Sequence, residues 1–275
     1  MNLGIILFSW ITFYFLAKFL KLERHGFEVR PYYVMFKSTI LNNILLRIGN
    51  FYPKFWKILG NIAIVSFFGQ VAFLTYLLFQ NLYRFIFIPT EANPVMPIIP
   101  GVTISMGSLP LFFAAAGSVI LFHELGHGIM CVVEGIKVKS SALLFAIITF
   151  GGAVEPDEDS MLSAPMISQL RVFAIGSFVN LIMGVILNLF FILFGQNITG
   201  IVLDYLNWCF FLSVNLAMVN MLPVYPLDGG QMTRIYLSSK TNWGIKLEKI
   251  TMYGFLGLMI SNLVLSLYQF GIVPL

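Results

Sequence analysis

Charged residues are scarce in this sequence. Of its 275 residues, 10% are Asp, Glu, Lys or Arg, while 59% are hydrophobic. A soluble globular domain is about 25% charged, so these few charges cannot cover a water-facing surface. Several apolar stretches are long enough to cross the hydrocarbon core of a bilayer, which takes about 20 residues. The composition therefore excludes an ordinary soluble domain and predicts an all-α polytopic membrane protein.

Cysteine is also rare, and both cysteines lie in apolar stretches, so a disulfide framework is not expected. The net charge of +4 does not indicate nucleic-acid binding, because half of the 16 basic residues lie between Lys18 and Lys57. In a membrane protein such a cluster marks the cytoplasmic side. We therefore expect the lipid bilayer as a partner and no nucleic acid.

Apolar segments at six places predict about six transmembrane helices. They cover residues 3–20, 58–87, 109–133, 164–194, 201–222 and 251–272. The first lacks a small-residue cleavage site, so we interpret it as a retained helix rather than a signal peptide. With six crossings and both termini outside, every basic residue except Arg84 falls near the cytoplasmic side. The pattern predicts a multi-pass protein of the plasma membrane.

Two segments between these helices have other patterns. Residues 21–56 are basic, with apolar residues spaced so that part of the segment could form an interfacial amphipathic helix. Residues 140–150 are apolar but too few to span, and they lead into Gly151 and Gly152. We expect a short membrane-dipping, β-like segment between the third and fourth helices, with a peripheral loop as the alternative. We divide the chain into an N-terminal membrane region (1–108), a membrane core (109–237) and a C-terminal segment with the last helix (238–275).

The third apolar segment carries a polar motif, His123-Glu124-Leu125-Gly126-His127. In a helix, the two histidines share a face because they are four residues apart. Two imidazoles on one face can bind one metal ion, and the glutamate between them can act as a general base. The alternative is that the three polar side chains simply satisfy one another inside a helix bundle.

A catalytic zinc ion takes three protein ligands, and Asp228 is the candidate for the third. It follows a helix broken by two prolines, and an acid within the membrane is a functional hypothesis by default. Three other residues remain open as ligands: Glu155 beside the β-like segment, Asp204 near the outer end of its helix, and Cys131, which would make a softer site. Asn220 could donate a hydrogen bond to an oxyanion, or it could cap a helix or bond between helices.

Two motifs together carry a resemblance to a known family. The sequence resembles the site-2 protease family of intramembrane zinc metalloproteases at two places. The first is His123-Glu124-Leu125-Gly126-His127 on one span, and the second is Asn220-x-x-Pro223-x-x-x-x-Asp228-Gly229 at the end of a later span. The resemblance covers roughly residues 109–237. It departs from the family pattern at Gly176, which is followed by serine where many members have proline.

The resemblance implies one zinc ion per chain, held by His123, His127 and Asp228, with Glu124 as the catalytic base. Asn220 and Pro223 match the second motif of the family. The segment around Gly151 and Gly152 looks like the family's membrane-dipping β-segment, which helps to present the substrate as an extended strand.

The implied activity is hydrolysis of peptide bonds within or near transmembrane segments of membrane-anchored substrates, with the active site toward the cytoplasm. No stretch is long or polar enough for the PDZ domain that many bacterial members insert. A metal transporter or metal sensor using the same His/Asp cluster is the alternative, although the sequence lacks the internal repeats usual in transporters. A catalytically silent membrane scaffold is a third hypothesis.

Overall fold

The computed structural model describes residues 3–25, 27–31, 33–38, 40–99, 101–146, 150–238 and 242–272. These residues form α-helices and one four-stranded sheet. The helices are α1 (Leu3–Phe19), α2 (Ile40–Phe51), α3 (Pro53–Phe87), α4 (Leu109–Val133), α5 (Glu158–Ser163), α6 (Met166–Phe194), α7 (Ile201–Val219), α8 (Asp228–Ser238) and α9 (Asn242–Phe270). The strands are β1 (Phe27–Arg30), β2 (Tyr33–Ser38), β3 (Val138–Ala146) and β4 (Phe150–Pro156).

Within these described ranges, five helices are long and apolar enough to cross a membrane: α3, α4, α6, α7 and α9. The predicted all-α membrane class is therefore confirmed. The predicted count of six is not reached, because α1 has 17 residues and is shorter than these five. The bounds of α4 coincide with the third predicted segment, and a proline in its first turn suits a helix start because its missing N–H has no helical partner to lose.

The centre of the bundle is formed by α4, α6 and α7, which pack against one another. Small residues allow the close approach: a Cβ at Gly126 of α4 would lie 3.5 Å from the Gly176 Cα of α6. Without a hydrophobic driving force between helices in lipid, such close packing is a main source of association. This seam carries the polar motif into the interior of the bundle.

The sheet is antiparallel, with strand order β1-β2-β3-β4. The hairpin of β3 and β4 corresponds to the predicted β-like segment, and Leu143 pairs with Gly152 in it. Residues 147–149, at the middle of that prediction, lie outside the described residues. The β1–β2 hairpin was not predicted, so the helical interpretation of residues 21–56 holds for α2 and is wrong for these strands. β4 is an edge strand that packs beside α4.

A further helix, α8, was missed because its residues are polar and lack a long apolar run. It begins directly after the proline-containing turn that follows α7. The last helix, α9, begins at Asn242, earlier than the predicted 251.

A buried ion pair joins the end of α4 to the first turns of α6. Arg171 Nη1 donates to Glu134 Oε1 at 2.8 Å, and Ser168 Oγ donates to the other Glu134 oxygen at 2.5 Å. The Glu134 side chain is 4% exposed. Arg171 Nε also donates to Asn61 Oδ1 of α3, at 2.9 Å. Three helices are therefore fixed in register at this end of the bundle.

Removal of one partner of this pair is expected to destabilise the fold. Arg171→Ala leaves the Glu134 carboxylate buried without its cation, which typically costs about 3–5 kcal/mol. The free energy of unfolding of the purified protein in detergent measures the loss. The double variant Arg171→Ala/Glu134→Gln, which removes both charges, should recover part of it; a double variant as unstable as Arg171→Ala would contradict a role for charge pairing.

Candidate metal centre

The structure brings Asp228 together with two histidines that lie about 100 residues earlier in the sequence. His123 and His127 project from one face of α4, and Asp228 is the first residue of α8. The two Nε2 atoms are 3.0 Å apart. Asp228 Oδ2 lies 3.2 Å from each of them. Among the described residues, this is the one group of three His, Cys, Asp or Glu side chains that could hold a metal ion.

The geometry and chemistry of these atoms fit a zinc ion. With ligand bonds of about 2.0–2.1 Å, tetrahedral coordination places neighbouring ligand atoms about 3.3 Å apart. The observed spacings of 3.0–3.2 Å are close to that value. Two imidazole nitrogens and one carboxylate oxygen form a donor set typical of catalytic zinc. Three such lone pairs facing one point in an apolar bundle require a cation or protons between them.

The backbone of α6 selects the tautomer of His127. Its Nδ1 lies 2.6 Å from the carbonyl oxygen of Val172. A carbonyl can only accept, so Nδ1 carries the hydrogen and Nε2 keeps its lone pair toward Asp228. A second partner that orients a metal-binding histidine is the usual arrangement in metal sites.

His123 has a corresponding partner in Asn180, which is fully buried in α6. The Asn180 amide nitrogen lies 3.0 Å from His123 Nδ1, and its Oδ1 has no partner among the described residues. When the Asn180 amide is turned so that Oδ1 accepts a hydrogen bond from an N–H at His123 Nδ1, the lone pair on His123 Nε2 is left to bind a metal. Asn180 therefore acts on the ligand geometry through His123.

A glycine on α6 provides the space for both imidazoles. A Cβ at Gly176 would overlap His127 Nε2 and would lie 2.9 Å from His123 Cε1. Any larger side chain at this position would push the rings away from α6. In the sequence, Gly176 marked only a departure from the family pattern, and this contact was not predicted.

The turn between α7 and α8 places Asp228. Pro223 is buried in this turn, and the Asn220 carbonyl accepts from the Gly229 N–H at 2.9 Å. A Cβ at Gly229 would overlap the Met221 carbonyl, so glycine allows α8 to pack against the end of α7. The Asn220 side chain donates to Asp228 Oδ2 at 2.7 Å and lies 3.1 Å from His123 Nε2. It therefore contacts both halves of the cluster.

Glu124 is tied to the sheet. Its Oε2 accepts a hydrogen bond from the Val154 N–H of β4, at 2.6 Å. Gly151 and Gly152 lie two to three residues earlier in the same strand. The edge of β4 thus faces the residue between the two histidines, a contact that no residue-type pattern could have indicated.

The other ligand candidates lie elsewhere. Cys131 is buried in the hydrophobic core and belongs to no cluster of ligands among the described residues. Asp204 is exposed in the first turn of α7, and Glu155 is exposed on β4. Of the four candidates, Asp228 is the one placed beside both histidines.

A family model and two relatives match parts of the chain. The family model for peptidase family M50 matches residues 111–199 and 195–261, more than half of the chain. A zinc metalloprotease of Methanocaldococcus jannaschii is 30% identical over 177 residues, which cover 62% of this chain and 48% of the relative. A membrane-bound transcription factor site-2 protease homolog of Arabidopsis thaliana is 25% identical over 145 residues, covering 52% of this chain and 28% of the relative. The chain thus matches about half of the first relative and just over a quarter of the second.

Gly176→Ala should weaken metal binding, because its new Cβ displaces both imidazole rings. Zinc content of the purified protein, measured by atomic absorption after dialysis against limiting zinc, should fall at least tenfold. Gly69→Ala in α3 is the matched control, since nothing lies within 4 Å of its Cβ position. Equal zinc content in the two variants would show that the rings do not depend on the space at Gly176.

Asn180→Leu should also reduce zinc affinity, by about 10–100-fold, the usual effect of losing the second partner of a histidine ligand. Asn180→Asp keeps an oxygen acceptor for the His123 ring N–H and should retain most of the affinity. A zinc titration that ranks the leucine variant equal to the aspartate variant would exclude a hydrogen-bonding role for Asn180.

Proposed function

The chain belongs to peptidase family M50, and on this premise we propose that it is a membrane zinc metalloprotease. Its substrates are membrane-anchored proteins, cleaved within or near their transmembrane segments. The observation that carries the proposal is the convergence of His123, His127 and Asp228 inside a bundle of apolar helices, with Glu124 beside them. Nothing in the proposal requires a soluble domain, a PDZ domain or nucleic acid.

When bound, zinc supplies a Lewis acid that polarises a peptide carbonyl and lowers the pKa of water toward about 7. Glu124 is the proposed proton carrier, taking a proton from the attacking water and returning it to the leaving amine. The Val154 N–H holds one of its carboxylate oxygens. This hydrogen bond holds the Glu124 carboxylate in place and leaves its other oxygen for proton transfer.

Asn220 is the proposed donor to the oxyanion. An amide nitrogen carries two hydrogens, and one of them bonds to Asp228. The second faces His123 Nε2 at 3.1 Å; when that nitrogen binds a metal ion, this hydrogen can instead donate to a developing negative charge close to the metal ligands, where a preorganised donor is most effective. Pro223 supports this role by fixing the turn that follows Asn220.

The edge of β4 is the proposed site of substrate presentation. A transmembrane helix hides its peptide groups in its own hydrogen bonds, so it must unwind before hydrolysis. Pairing with an edge strand satisfies the freed backbone groups. In a regular strand, N–H groups two residues apart point the same way, so the Gly152 N–H shares the free edge with that of Val154.

The proposed orientation places the metal centre toward the cytoplasm. The basic segments around Arg47, Lys137 and Lys246 lie at the end of the bundle where α4 ends. His127 is six residues before the end of α4, about 9 Å along the helix axis. Water would therefore reach the site from that side of the plasma membrane.

Glu124→Gln should lower the rate of peptide-bond cleavage by about 10²–10⁴-fold, the usual contribution of a general base. Zinc should remain bound, because the three ligands are unchanged. Asp228→Ala should instead lose zinc and activity together. The measurements are zinc stoichiometry and cleavage of a panel of membrane-anchored proteins reconstituted in vesicles.

Retained cleavage by Glu124→Gln would overturn the role assigned to this glutamate. Full zinc occupancy in Asp228→Ala would mean that the third ligand lies elsewhere. Zinc flux into vesicles that survives Glu124→Gln, with no cleavage by the parent protein, would favour the transporter alternative.

A further inference from the structure

An apolar cleft lies between α4 and α7. Its volume is about 450 Å³, enough for several large apolar side chains. One wall is a stripe on α4 that includes Phe112, Ala116 and Ile120, and the opposite wall is a stripe on α7 from Phe211 to Val219. The third wall is the loop segment Met96, Pro97 and Ile98.

The cleft leads to the metal centre. On α4, His123 and Glu124 lie eleven residues after Phe112 and Phe113, which is close to three helical turns, so they continue the same stripe. On α7, Asn220 lies one turn after Leu216 and directly after Val219. A chain lying in the cleft would therefore run down to the proposed catalytic residues.

The loop wall is held in place by hydrogen bonds, so the cleft is a built feature. Ser266 Oγ of α9 accepts from the Val95 N–H at 2.7 Å. Thr103 Oγ1 accepts from the Ile99 N–H at 2.8 Å and donates to the Pro97 carbonyl at 2.9 Å. These contacts fix the segment on both sides of the three lining residues.

The mouth of the cleft is polar. A second cavity at the first turns of α4 and α7 shares Phe211 with the first and is lined by Ser108, Asp204 and Asn207. Asp204 is exposed and carries a negative charge at this end, which is poor in basic residues. The combined groove presents an acidic mouth, an apolar length and a metal centre in that order.

Resting on the proposed protease function, we infer that this groove binds the half of a substrate's transmembrane segment that lies away from the cytoplasm. The bound segment is apolar over its length and carries a lysine or arginine at the end that meets Asp204. The groove would hold this half in place while the peptide group beside Asn220 becomes extended. The single amide within the apolar length, Asn215, bonds through its nitrogen to the Phe211 carbonyl of its own helix, which leaves its oxygen to accept from a backbone N–H of an unwinding segment.

Filling the groove tests the inference in a binding assay that needs no catalysis. The probe is a synthetic 20-residue Leu/Ala peptide with two lysines at one end, carrying a fluorophore, in phosphatidylcholine vesicles that contain the Glu124→Gln protein. Ala116→Phe should weaken peptide binding at least tenfold, because Ala116 is buried and lines the groove. Ala114→Phe is the matched control on the exposed side of the same helix and should bind as the parent does.

Two further variants keep the test decisive if Ala116→Phe fails to fold. Ile98→Trp fills the groove from the loop wall and should have the same effect. Asp204→Asn should remove the preference for a lysine-ended peptide over a glutamate-ended one. Unchanged peptide binding in the groove-filling variants would overturn the inference, as would a groove occupied by lipid that the peptide does not displace.

The outcomes separate this inference from the proposed function. Binding is measured in Glu124→Gln protein, so it is scored even if no proteolysis is found. If cleavage depends on Glu124 while groove-filling leaves peptide binding unchanged, the protease proposal stands and the groove assignment fails.

Discussion

Three atoms with lone pairs meet within 3.0–3.2 Å of one another inside a bundle of apolar helices. Such an arrangement is costly unless a cation lies between them, because buried polar atoms need a partner. The surrounding structure maintains the arrangement. Val172 and Asn180 fix the two imidazoles from α6, Asn220 fixes the carboxylate from α7, and Gly176 leaves room for both rings. The packing of α4 against α6 and α7 is thus a requirement of the metal centre as much as of the fold.

The candidate ligand residues could be nominated from the sequence, whereas most of the contacts that support them could not. His123 and His127 are local in sequence, so helical spacing alone places them on one face. Asp228 could be nominated because an acidic side chain beside a broken membrane helix is costly to bury and usually serves a functional site. Two of these contacts are made by backbone atoms, the Val172 carbonyl and the Val154 N–H. Every residue type carries a carbonyl, and every one but proline an N–H, so no pattern in the sequence marks the ones that matter.

The elements of the fold also separate into those that the sequence predicted and those that it did not. The bounds of α4 followed from an uninterrupted apolar run, because a membrane helix satisfies its own backbone and needs no distant partner. The β1–β2 hairpin was missed because it completes its hydrogen bonding with β3, more than 100 residues later. Helix α8 was missed because most of its residues are polar, although Met232 and Ile235 pack into the hydrophobic core formed with other helices. Both elements depend on contacts outside their own residues, which their local sequence does not indicate.

In the proposed mechanism, the hydrogen bond between Glu124 and the Val154 N–H links substrate presentation to catalysis. Val154 has a single N–H, so it cannot pair with Glu124 and with an added substrate strand at once. Pro156, two residues further along the same edge, has no N–H at all. A strand pairing with β4 while Glu124 stays anchored must therefore use the Gly152 end of the edge, and one that extends to Val154 must displace the carboxylate. In the first case the base remains aimed by the enzyme; in the second the arriving substrate frees it. Either way, the position of a substrate strand on β4 would determine the state of the proposed catalytic base.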